Sequence, residues 1–389
     1  MDKNAINRVI AKLIFPSKTP DILEIEDRYP QRNLPKTAKV VRVAPSPTGF
    51  AHFGLIFASM VNEQIAYTSN GVFFLRIEDT DKKREVENGI EKIISALKDF
   101  DIKYSEGPIS ENQEIGEYGP YIQSRRQDIY FSATKLLIEK GYAYPCFCTT
   151  EVLEEVHKIQ KANKERTGYY GKYAKCRNLS LDEIKQKIAE GTPYTIRFRS
   201  PEISISSKYD DAIKGNITLS SNDVDYIIVK SSNKGLGLPV YHLAAMVDDH
   251  LQKVNIVIRG DEWLSSLPLH LQIIDAFGWK RPIFGHLSPV MKMEGVTTKR
   301  KLSKRKDPEA AVDYYLEQGI PPEAVRAYVL NIADSGFEDW RKNNQYIPLL
   351  DFPLTLSHMG SSGALFDMTK FLDICKQEIS YMTAEKIYS

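Results

Sequence analysis

Two clusters of residues have the composition needed to bind phosphate groups. The segment 44–54, Ala-Pro-Ser-Pro-Thr-Gly-Phe-Ala-His-Phe-Gly, stands between a β-branched run and a helical pattern. Its glycines permit close approach of the backbone, His52 can donate to an oxygen, and the helix N-terminus offers unpaired N–H groups. The segment 299–306, Lys-Arg-Lys-Leu-Ser-Lys-Arg-Lys, is almost wholly cationic. Taken alone, the first cluster could equally be a structural turn, and the second a solvated loop or a nucleic-acid patch.

Alternating strand and helix patterns surround the first cluster. The β-branched run 40–44 predicts a strand, 54–70 a helix, 72–77 a second strand and 86–100 a second helix. This order predicts an α/β fold with a doubly wound, Rossmann-type parallel sheet. Ligands bind to such sheets at the carboxyl ends of the strands, which is where segment 44–54 falls.

The pattern changes near Tyr121 and resumes near Tyr241. Helical patterns at 121–141 and 150–162, a capping box at Ser180 and Glu183, and strands at 194–199 and 225–230 predict an inserted α+β unit that splits the sheet. We then expect a strand at 254–259 and helices at 264–277, 309–318 and 321–332. The predicted units are an N-terminal helical extension (1–38), the first half of the Rossmann catalytic domain (39–120), the insertion (121–240), the second half (241–300) and a helical region that opens with the basic loop (301–389).

Composition excludes several classes of protein. The 389 residues suffice for two or three domains, and 42% hydrophobic with 26% charged residues is ordinary for a globular protein. No apolar run approaches the roughly 20 residues of a membrane helix, and the N-terminus has no signal-peptide pattern, so we expect a cytoplasmic protein without membrane contact. With 52 Lys and Arg against 51 Asp and Glu, net charge favours no partner.

The two clusters together resemble the HIGH and KMSKS signature motifs of class I aminoacyl-tRNA synthetases. Further segments resemble glutamyl-tRNA synthetases in the family's order: Arg-Val-Ala-Pro-Ser-Pro-Thr-Gly at 42–49, Arg-Ile-Glu-Asp-Thr-Asp at 76–81, Tyr-His-Leu-Ala at 241–244, Val-Asp-Asp-His at 247–250, Ile-Arg-Gly-Asp-Glu-Trp at 258–263 and Ala-Phe-Gly-Trp at 276–279. A glutaminyl enzyme would have an Asn-containing first motif and Asp-Asp-Thr-Asn at 78–81. The chain has the glutamyl form of both.

The resemblance implies that the protein activates glutamate with ATP, releases pyrophosphate, and transfers glutamate to the 3′-terminal ribose of tRNA(Glu). It implies catalytic roles for His52, Lys301 and Lys304. ATP, with Mg²⁺, would be bound by Pro45, Thr48, Gly49, His52, Gly54, Leu302, Ser303 and Lys304. The tRNA acceptor arm would lie on the inserted domain, and we expect a monomer.

Glutamate carries two carboxylates and one ammonium, so its pocket requires two cations and an acceptor. The family's amino-acid positions fit this requirement and fall on Arg42, Ser46, Glu78, Tyr241 and Arg259. The alternative is that the two arginines pair structurally with Asp79 or Asp261. The resemblance gives Asp248, Asp249 and His250 an architectural place beside the pocket.

Cys146, Cys148 and Cys176 resemble the zinc site of some glutamyl enzymes. The family's fourth-ligand positions hold Asn178 and Lys172 here, so Tyr173 or water would complete the set. Three reduced cysteines in a small core are the alternative.

Two departures from the family pattern leave other functions open. Leu55 is bulky where the family has a small residue. The family continues into an anticodon-binding domain, which we expect this sequence to lack. The alternatives are a glutamyl-queuosine tRNA(Asp) synthetase-like enzyme, a nucleotidyltransferase of the same superfamily, and an inactive RNA-binding synthetase paralogue. The paralogue would be expected to lose His52, Lys304 or the pocket arginines, which are all present.

Overall fold

The computed structural model describes residues 2–49, 51–233, 235–295, 297–303 and 305–388, which form a mixed α/β structure. Two helices precede the first strand, α1 (Lys3–Ile14) and α2 (Ile22–Glu26). α1 begins after Asp2, whose Oδ1 accepts a hydrogen bond from the Ala5 N–H at 2.6 Å, as an N-cap residue does. Phe15 and Tyr29 are buried with the apolar faces of both helices in one hydrophobic core. The N-terminal segment is therefore packed against the body of the protein.

Alternating strands and helices follow, as the sequence predicts. They are β1 (Val40–Val43), α3 (Phe53–Thr68), β2 (Val72–Leu75) and α4 (Gly89–Asp99), and then the hairpin of β3 (Gly107–Ser110) and β4 (Gln113–Ile115). β1 and β2 pair in parallel, with Val40 opposite Val72. Every residue of β1 is buried. The predicted helices 54–70 and 86–100 differ from α3 and α4 only at their ends.

The next segment contains an antiparallel sheet. Its elements are α5 (Gln127–Glu139), β5 (Ala143–Cys146), α6 (Thr150–Ala162), α7 (Leu181–Ala189), β6 (Thr195–Phe198), β7 (Ser206–Asp211), β8 (Gly215–Ser220), β9 (Ile227–Ser232) and β10 (Gly235–Pro239). The strand order is β10-β9-β6-β5. α7 starts with the predicted capping box of Ser180 and Glu183. The hairpin of β7 and β8 is an addition to the predicted elements.

A second parallel pair completes the central layer. Its elements are α8 (Tyr241–Leu251), β11 (Ile256–Gly260), α9 (Leu267–Phe277) and β12 (Ile283–Leu287). β11 and β12 are parallel. β11 lies beside β1, where the Asn255 N–H donates to Val40 O at 3.2 Å and Arg42 Nη1 donates to Ile258 O at 3.4 Å. Because these contacts advance in the same direction along both strands, the carboxyl ends of β1 and β11 lie at the same edge.

The remaining elements are the hairpin of β13 (Met291–Glu294) and β14 (Thr298–Lys301), followed by α10 (Val312–Glu317), α11 (Pro322–Ala333), α12 (Phe337–Asn343), α13 (Met368–Ser380) and α14 (Ala384–Tyr388). The predicted helix 309–318 is a 3₁₀ turn, Pro308–Ala310, joined to α10. Among the described helices, none is long and apolar enough to cross a membrane.

The parallel strands are covered on both faces. Val40, Phe74 and Val257 belong to one hydrophobic core, which includes α1, α2, α5, α8 and α9. The alternate residues of the same strands, such as Val41 and Ile258, belong to a second core with α3, α4, α11 and α13. Side chains alternate between the faces of a strand, so helices on both faces explain the nearly continuous apolar sequences of β1, β2 and β11.

Polar contacts hold the end of α2 and the segment that follows it against the rest of the protein. Arg32 forms a bidentate ion pair with Glu106, with N–O distances of 2.5 and 2.8 Å, and its guanidinium lies 3.7 Å from the centroid of the Tyr118 ring. At the end of α2, Glu26 accepts from Trp279 Nε1 at 2.8 Å. These contacts connect the N-terminal segment to residues that precede and follow the antiparallel sheet.

Candidate functional site

A cavity of about 960 Å³ lies at the carboxyl ends of β1 and β11. The predicted site residues that line it are Arg42, Pro45, Ser46, Thr48, Gly49, His52, Gly54, Glu78, Tyr241, Arg259, Lys301 and Leu302. Ser303 does not line the cavity, and Lys304 lies outside the described residues. The structure therefore brings together side chains from both sequence clusters and from the segments between them.

The loop after β1 is held by backbone contacts. The Thr48 N–H donates to Ser46 O at 2.8 Å, and the Val86 N–H donates to Pro47 O at 2.9 Å. A Cβ atom at Gly89, the first residue of α4, would lie 2.8 Å from Pro47 O. Only glycine permits this approach, so α4 supports the loop directly.

His52 is the N-cap of α3. Its Nδ1 accepts from the Leu55 N–H at 3.1 Å. A neutral imidazole that accepts at Nδ1 carries its proton on Nε2, which is the donor that a phosphate oxygen requires. A Cβ at Gly54 would lie 3.1 Å from His52 Nδ1, so a larger residue would displace the ring. Leu55 contributes its backbone N–H here, a role that the bulk of its side chain does not affect.

Arg42 is 3% exposed and is paired with a carboxylate. Its Nε and Nη2 donate to Asp249 at 2.9 and 3.2 Å. From the sequence, Asp79 is one of the two carboxylates that could form a structural ion pair with Arg42. Asp79 instead accepts hydrogen bonds from Lys82 and from Ser124. Arg42 is thus in an ion pair, but with a partner 207 positions away.

Buried charges beside the cavity compensate each other. Asp249 also accepts from Arg76 Nη1 at 2.7 Å, and Asp248 accepts from Arg126 Nε at 2.7 Å. All four side chains are nearly inaccessible. Burial raises the pKa of a carboxyl, but the arginines outweigh it and lower the pKa of Asp249 below its usual value.

Arg259 differs from these arginines. In the part of the chain that the structure describes, no carboxylate forms an ion pair with Arg259, although the side chain is only 6% exposed. Asp261, the second carboxylate that the sequence offers as a structural partner for the pocket arginines, forms an ion pair with Lys214 at 3.1 Å. Burial, with Arg42 nearby, lowers the pKa of Arg259 from its usual value. A buried guanidinium in this position is prepared to receive an anion.

Glu78 is a carboxylate that lines the same cavity. Its Oε1 accepts from Arg76 Nη2 at 3.0 Å. Burial raises the pKa of Glu78 to about 6, with Arg76 and Arg42 opposing the shift. Cation binding at Glu78 would offset the cost of its burial.

The cavity is also lined by an aromatic and a basic side chain, Trp263 and Lys230, that were not predicted as site residues. Trp263 packs against Tyr241, with ring centroids 4.0 Å apart and ring planes tilted by 35°. Lys230 Nζ donates to Thr80 O at 3.0 Å. Trp263 stands within the family-like segment 258–263, so the motif contained the signal, whereas Lys230 comes from the strand β9 and carries no motif.

The basic loop is anchored by acidic residues. Asp307, 1% exposed, accepts from both terminal nitrogens of Arg300 at 2.5 and 2.7 Å and from the Ser303 N–H at 2.9 Å. Lys306 pairs with Glu294 at 2.9 Å. These contacts hold the pKa of Asp307 well below its usual range. Arg300, Ser303 and Lys306 are therefore held in position by carboxylates and are not simply part of a solvated run of charges.

The three cysteines form a compact cluster, with their Sγ atoms within 4.8 Å of one another. Cys148 Sγ and Cys176 Sγ are 3.6 Å apart, close to the edge of about 3.8 Å expected for sulfurs around one zinc ion. The hydroxyl of Tyr169 lies 3.4 Å from Cys146 Sγ and 3.3 Å from Cys148 Sγ. Tyr173, which the sequence suggested as a fourth ligand, instead donates to Glu165. The Tyr169 hydroxyl, which also accepts from the Cys176 N–H at 2.9 Å, is therefore the tyrosine oxygen that lies beside the sulfurs.

Comparison with known proteins gives a consistent family assignment. Residues 39–341 match the family model described as tRNA synthetases class I (E and Q), catalytic domain. The chain is 46% identical over 383 residues to the glutamate–tRNA ligase of Acetivibrio thermocellus and 47% identical over 384 residues to that of Clostridium perfringens. Each alignment covers 97% of this chain and 69% of the relative.

Solved structures give the same result. The glutamate–tRNA synthetase of Elizabethkingia anophelis aligns with a TM-score of 0.77 and 33% identity, over 90% of this chain and 72% of that one. A glutamate–tRNA ligase of Elizabethkingia meningosepticum, in complex with its amino acid, gives 0.78 and 32%, over 90% and 71%. Class I tRNA synthetases are therefore the class that the fold and the cavity define. Within that class, the chain belongs to the family of glutamate–tRNA ligases.

Proposed function

We propose that the protein activates glutamate with ATP in the cavity and then transfers it to the 3′-terminal ribose of tRNA(Glu). The observation that carries this proposal is the distribution of charge in the cavity. Arg259 lacks a carboxylate partner among the described residues, and the carboxylate of Glu78 lines the same space. An amino acid with a second carboxylate complements that arrangement better than a neutral one.

Glutamate recognition would use both ends of the substrate. Arg259 and Arg42 would receive the carboxylates, and Glu78 would receive the ammonium. Ser46 and Tyr241 would add hydrogen bonds. Arg42 keeps Nη1 directed at Ile258 O, while Asp249 satisfies its other nitrogens, so we assign the stronger role to Arg259.

ATP, supplied as its Mg²⁺ complex, would lie along residues 45–54 and the N-terminus of α3. Pro45, Thr48, Gly49 and Gly54 would approach the nucleotide through their backbones, and His52 Nε2 would donate to a phosphate oxygen. The substrate carboxylate then attacks the α-phosphorus in line and expels pyrophosphate, so no protein nucleophile is required. Lys301 and Lys304, with Leu302 and Ser303 shaping the loop, would neutralise the charge on the leaving group.

The domain organisation that we propose keeps the predicted boundaries. Residues 39–120 and 241–300 would form the two halves of a Rossmann-type domain, which is supported by parallel strands that are covered on both faces. Residues 121–240 would bind the acceptor arm of tRNA(Glu), 1–38 would be an accessory extension, and 301–389 would contain the basic loop and a helical stem-contact region. We propose that the protein acts as a cytoplasmic monomer.

Zinc would be held by Cys146, Cys148 and Cys176, with Tyr169 as the fourth ligand. Four ligands close a site, so the ion would have a structural role, linking β5 to the loop before α7. The spacing of the sulfurs supports this assignment.

Glutamate-dependent exchange of pyrophosphate into ATP tests the proposed function. We expect exchange with glutamate and none with glutamine, measured with and without tRNA(Glu). Charging of tRNA(Glu) in the same preparation tests the transfer step. If glutamate supports neither exchange nor charging, the proposed function is wrong.

A further inference from the structure

Two neutral imidazoles hold the guanidinium of Arg259. Arg259 Nε donates to His286 Nε2 at 3.1 Å, and Nη1 donates to His270 Nδ1 at 2.9 Å. Weaker contacts run from Nη1 to Tyr241 OH at 3.4 Å and from Nη2 to Trp263 O at 3.5 Å. All these acceptors are uncharged, so they orient Arg259 without neutralising it.

The chemistry of arginine fixes the proton positions on both histidines. A guanidinium only donates hydrogen bonds, so the imidazole nitrogens that face Arg259 must be unprotonated. His286 therefore carries its proton on Nδ1 and donates it to Asp211 Oδ2 at 2.5 Å. His270 carries its proton on Nε2 and donates it to His242 Nδ1 at 2.9 Å.

Asp211 has little freedom to move. Besides Oδ2 on His286, its Oδ1 accepts three backbone hydrogen bonds, from Ile213 at 3.0 Å, Lys214 at 2.9 Å and His286 at 3.1 Å. Asp211 is the last residue of β7 and reaches the parallel strands because the Ala212 N–H donates to Phe284 O at 2.8 Å. The unpredicted hairpin of β7 and β8 thus brings a carboxylate to His286, on the side of the imidazole that faces away from Arg259.

We propose that Asp211 is a positioning residue for glutamate binding, because it holds His286 in the tautomer that orients Arg259. This inference rests on the proposed function, in which Arg259 receives a carboxylate of glutamate. Asp211 acts through His286 and lies outside the residues that line the cavity. His270 and His242 provide the second support.

The substitution Asp211→Asn tests the tautomer directly. The three backbone N–H groups require an oxygen at the position of Oδ1, so the amide NH₂ must take the place of Oδ2 and face His286 Nδ1. His286 would then accept at Nδ1 and carry its proton on Nε2. That proton would point at Arg259 Nε–H, and two donors would oppose each other. The variant keeps the size and the backbone contacts of the wild-type residue.

We expect Asp211→Asn to raise KM for glutamate about tenfold or more, as the loss of one charged hydrogen bond would. KM for ATP should change by less than about twofold, since none of the described residues of segment 44–54 forms a hydrogen bond with Asp211. Asp210→Asn is the matched control, because Asp210 is the adjacent residue of β7 and is exposed. It should leave both constants unchanged.

A spectroscopic measurement provides a readout that is independent of activity. In the wild-type protein labelled with ¹⁵N at histidine, His286 Nε2 should show the chemical shift of an unprotonated ring nitrogen. In Asp211→Asn it should show the chemical shift of a protonated one.

A second pair of variants separates loss of the acceptor from a folding defect. His286→Gln retains an acceptor for Arg259 and should raise KM for glutamate less than His286→Leu. An unchanged KM for glutamate in Asp211→Asn, or equal KM values in the two His286 variants, would overturn the inference.

Failure of this inference is distinguishable from failure of the proposed function. If the wild-type protein shows no glutamate-dependent exchange, or Arg259→Ala leaves KM for glutamate unchanged, the proposed function is at fault. If Arg259→Ala raises KM but Asp211→Asn does not, the proposed function stands and only the role of Asp211 is wrong.

Discussion

Arg42 and Asp249 form a buried ion pair in which two guanidinium nitrogens reach two carboxylate oxygens at 2.9 and 3.2 Å. Arg259, from the neighbouring strand β11, enters the same cavity with neutral partners only among the described residues. The two arginines of the proposed glutamate pocket therefore differ in their cost of removal.

Arg42→Ala should destabilise the protein, because Asp249 would be left buried with Arg76 as its remaining ion-pair partner among the described residues. Breaking a buried pair costs about 3–5 kcal/mol, which urea unfolding can measure. Arg259→Ala removes a charge that forms no ion pair with a carboxylate among the described residues, so its main effect should be a higher KM for glutamate with a smaller loss of stability. The reverse order of the two stability losses would contradict this assignment.

Glutamate affinity should depend on pH through Glu78. Its pKa of about 6 means that the carboxylate is protonated as the pH falls through that value, and the attraction for the substrate ammonium is then lost. KM for glutamate in the exchange reaction should be constant above about pH 7 and rise at lower pH, by up to about tenfold per unit. Glu78→Gln should have a high KM without that slope. The same slope in the variant would exclude Glu78 as its source.

The basic loop should affect turnover more than glutamate binding. Lys304→Ala removes a charge that would stabilise departing pyrophosphate, and Asp307→Asn weakens the hold on Arg300 and Ser303. Both should lower kcat for exchange about tenfold or more with little change in KM for glutamate. Asp373→Asn, at an exposed position of α13, is the control. A variant that changed only KM for glutamate would argue against this role for the loop.

Protein purified without chelator should contain about one zinc ion per chain. Cys148→Ser should reduce the content strongly, and Tyr169→Phe should weaken retention against a chelator, whereas Cys375→Ser should have no effect because Cys375 is buried in the other core. Metal analysis provides the measurement. A zinc content below about a tenth of an equivalent in the wild-type protein would favour three reduced thiols.

Local sequence rules predicted the elements that depend on local patterns. β1, α3, β2 and α4 follow β-branched runs and helical periodicity, and the capping box at Ser180 fixes the start of α7. Four of the family-like motifs, 42–49, 76–81, 241–244 and 258–263, stand at the end of a strand or the start of a helix and contribute residues to one cavity. Their chemical roles stay predictions until the variants are measured.

Contacts between distant positions were not predictable in the same way. Nothing near Arg42 in the sequence designates Asp249 as its partner. Tyr173 is nearer to Cys176 in the sequence than Tyr169 is. However, the turn at Gly171–Tyr173 directs the hydroxyl of Tyr173 to Glu165. The β7–β8 hairpin is rich in Ser, Asn and Asp, so propensity disfavours strands there. Pairing with each other, and the contact of Ala212 with Phe284, stabilise it instead.

The contacts of residues 2–38 bear on how a shorter fragment of this protein would behave. The family match begins at residue 39, which makes that position an obvious place to start an expression clone. Such a clone would remove the partners of Glu106 and Trp279 and uncover the apolar surface beneath Phe15 and Ile25. Exposed apolar patches of this kind promote aggregation, so low solubility of the shortened protein would reflect the cut and not the catalytic domain itself.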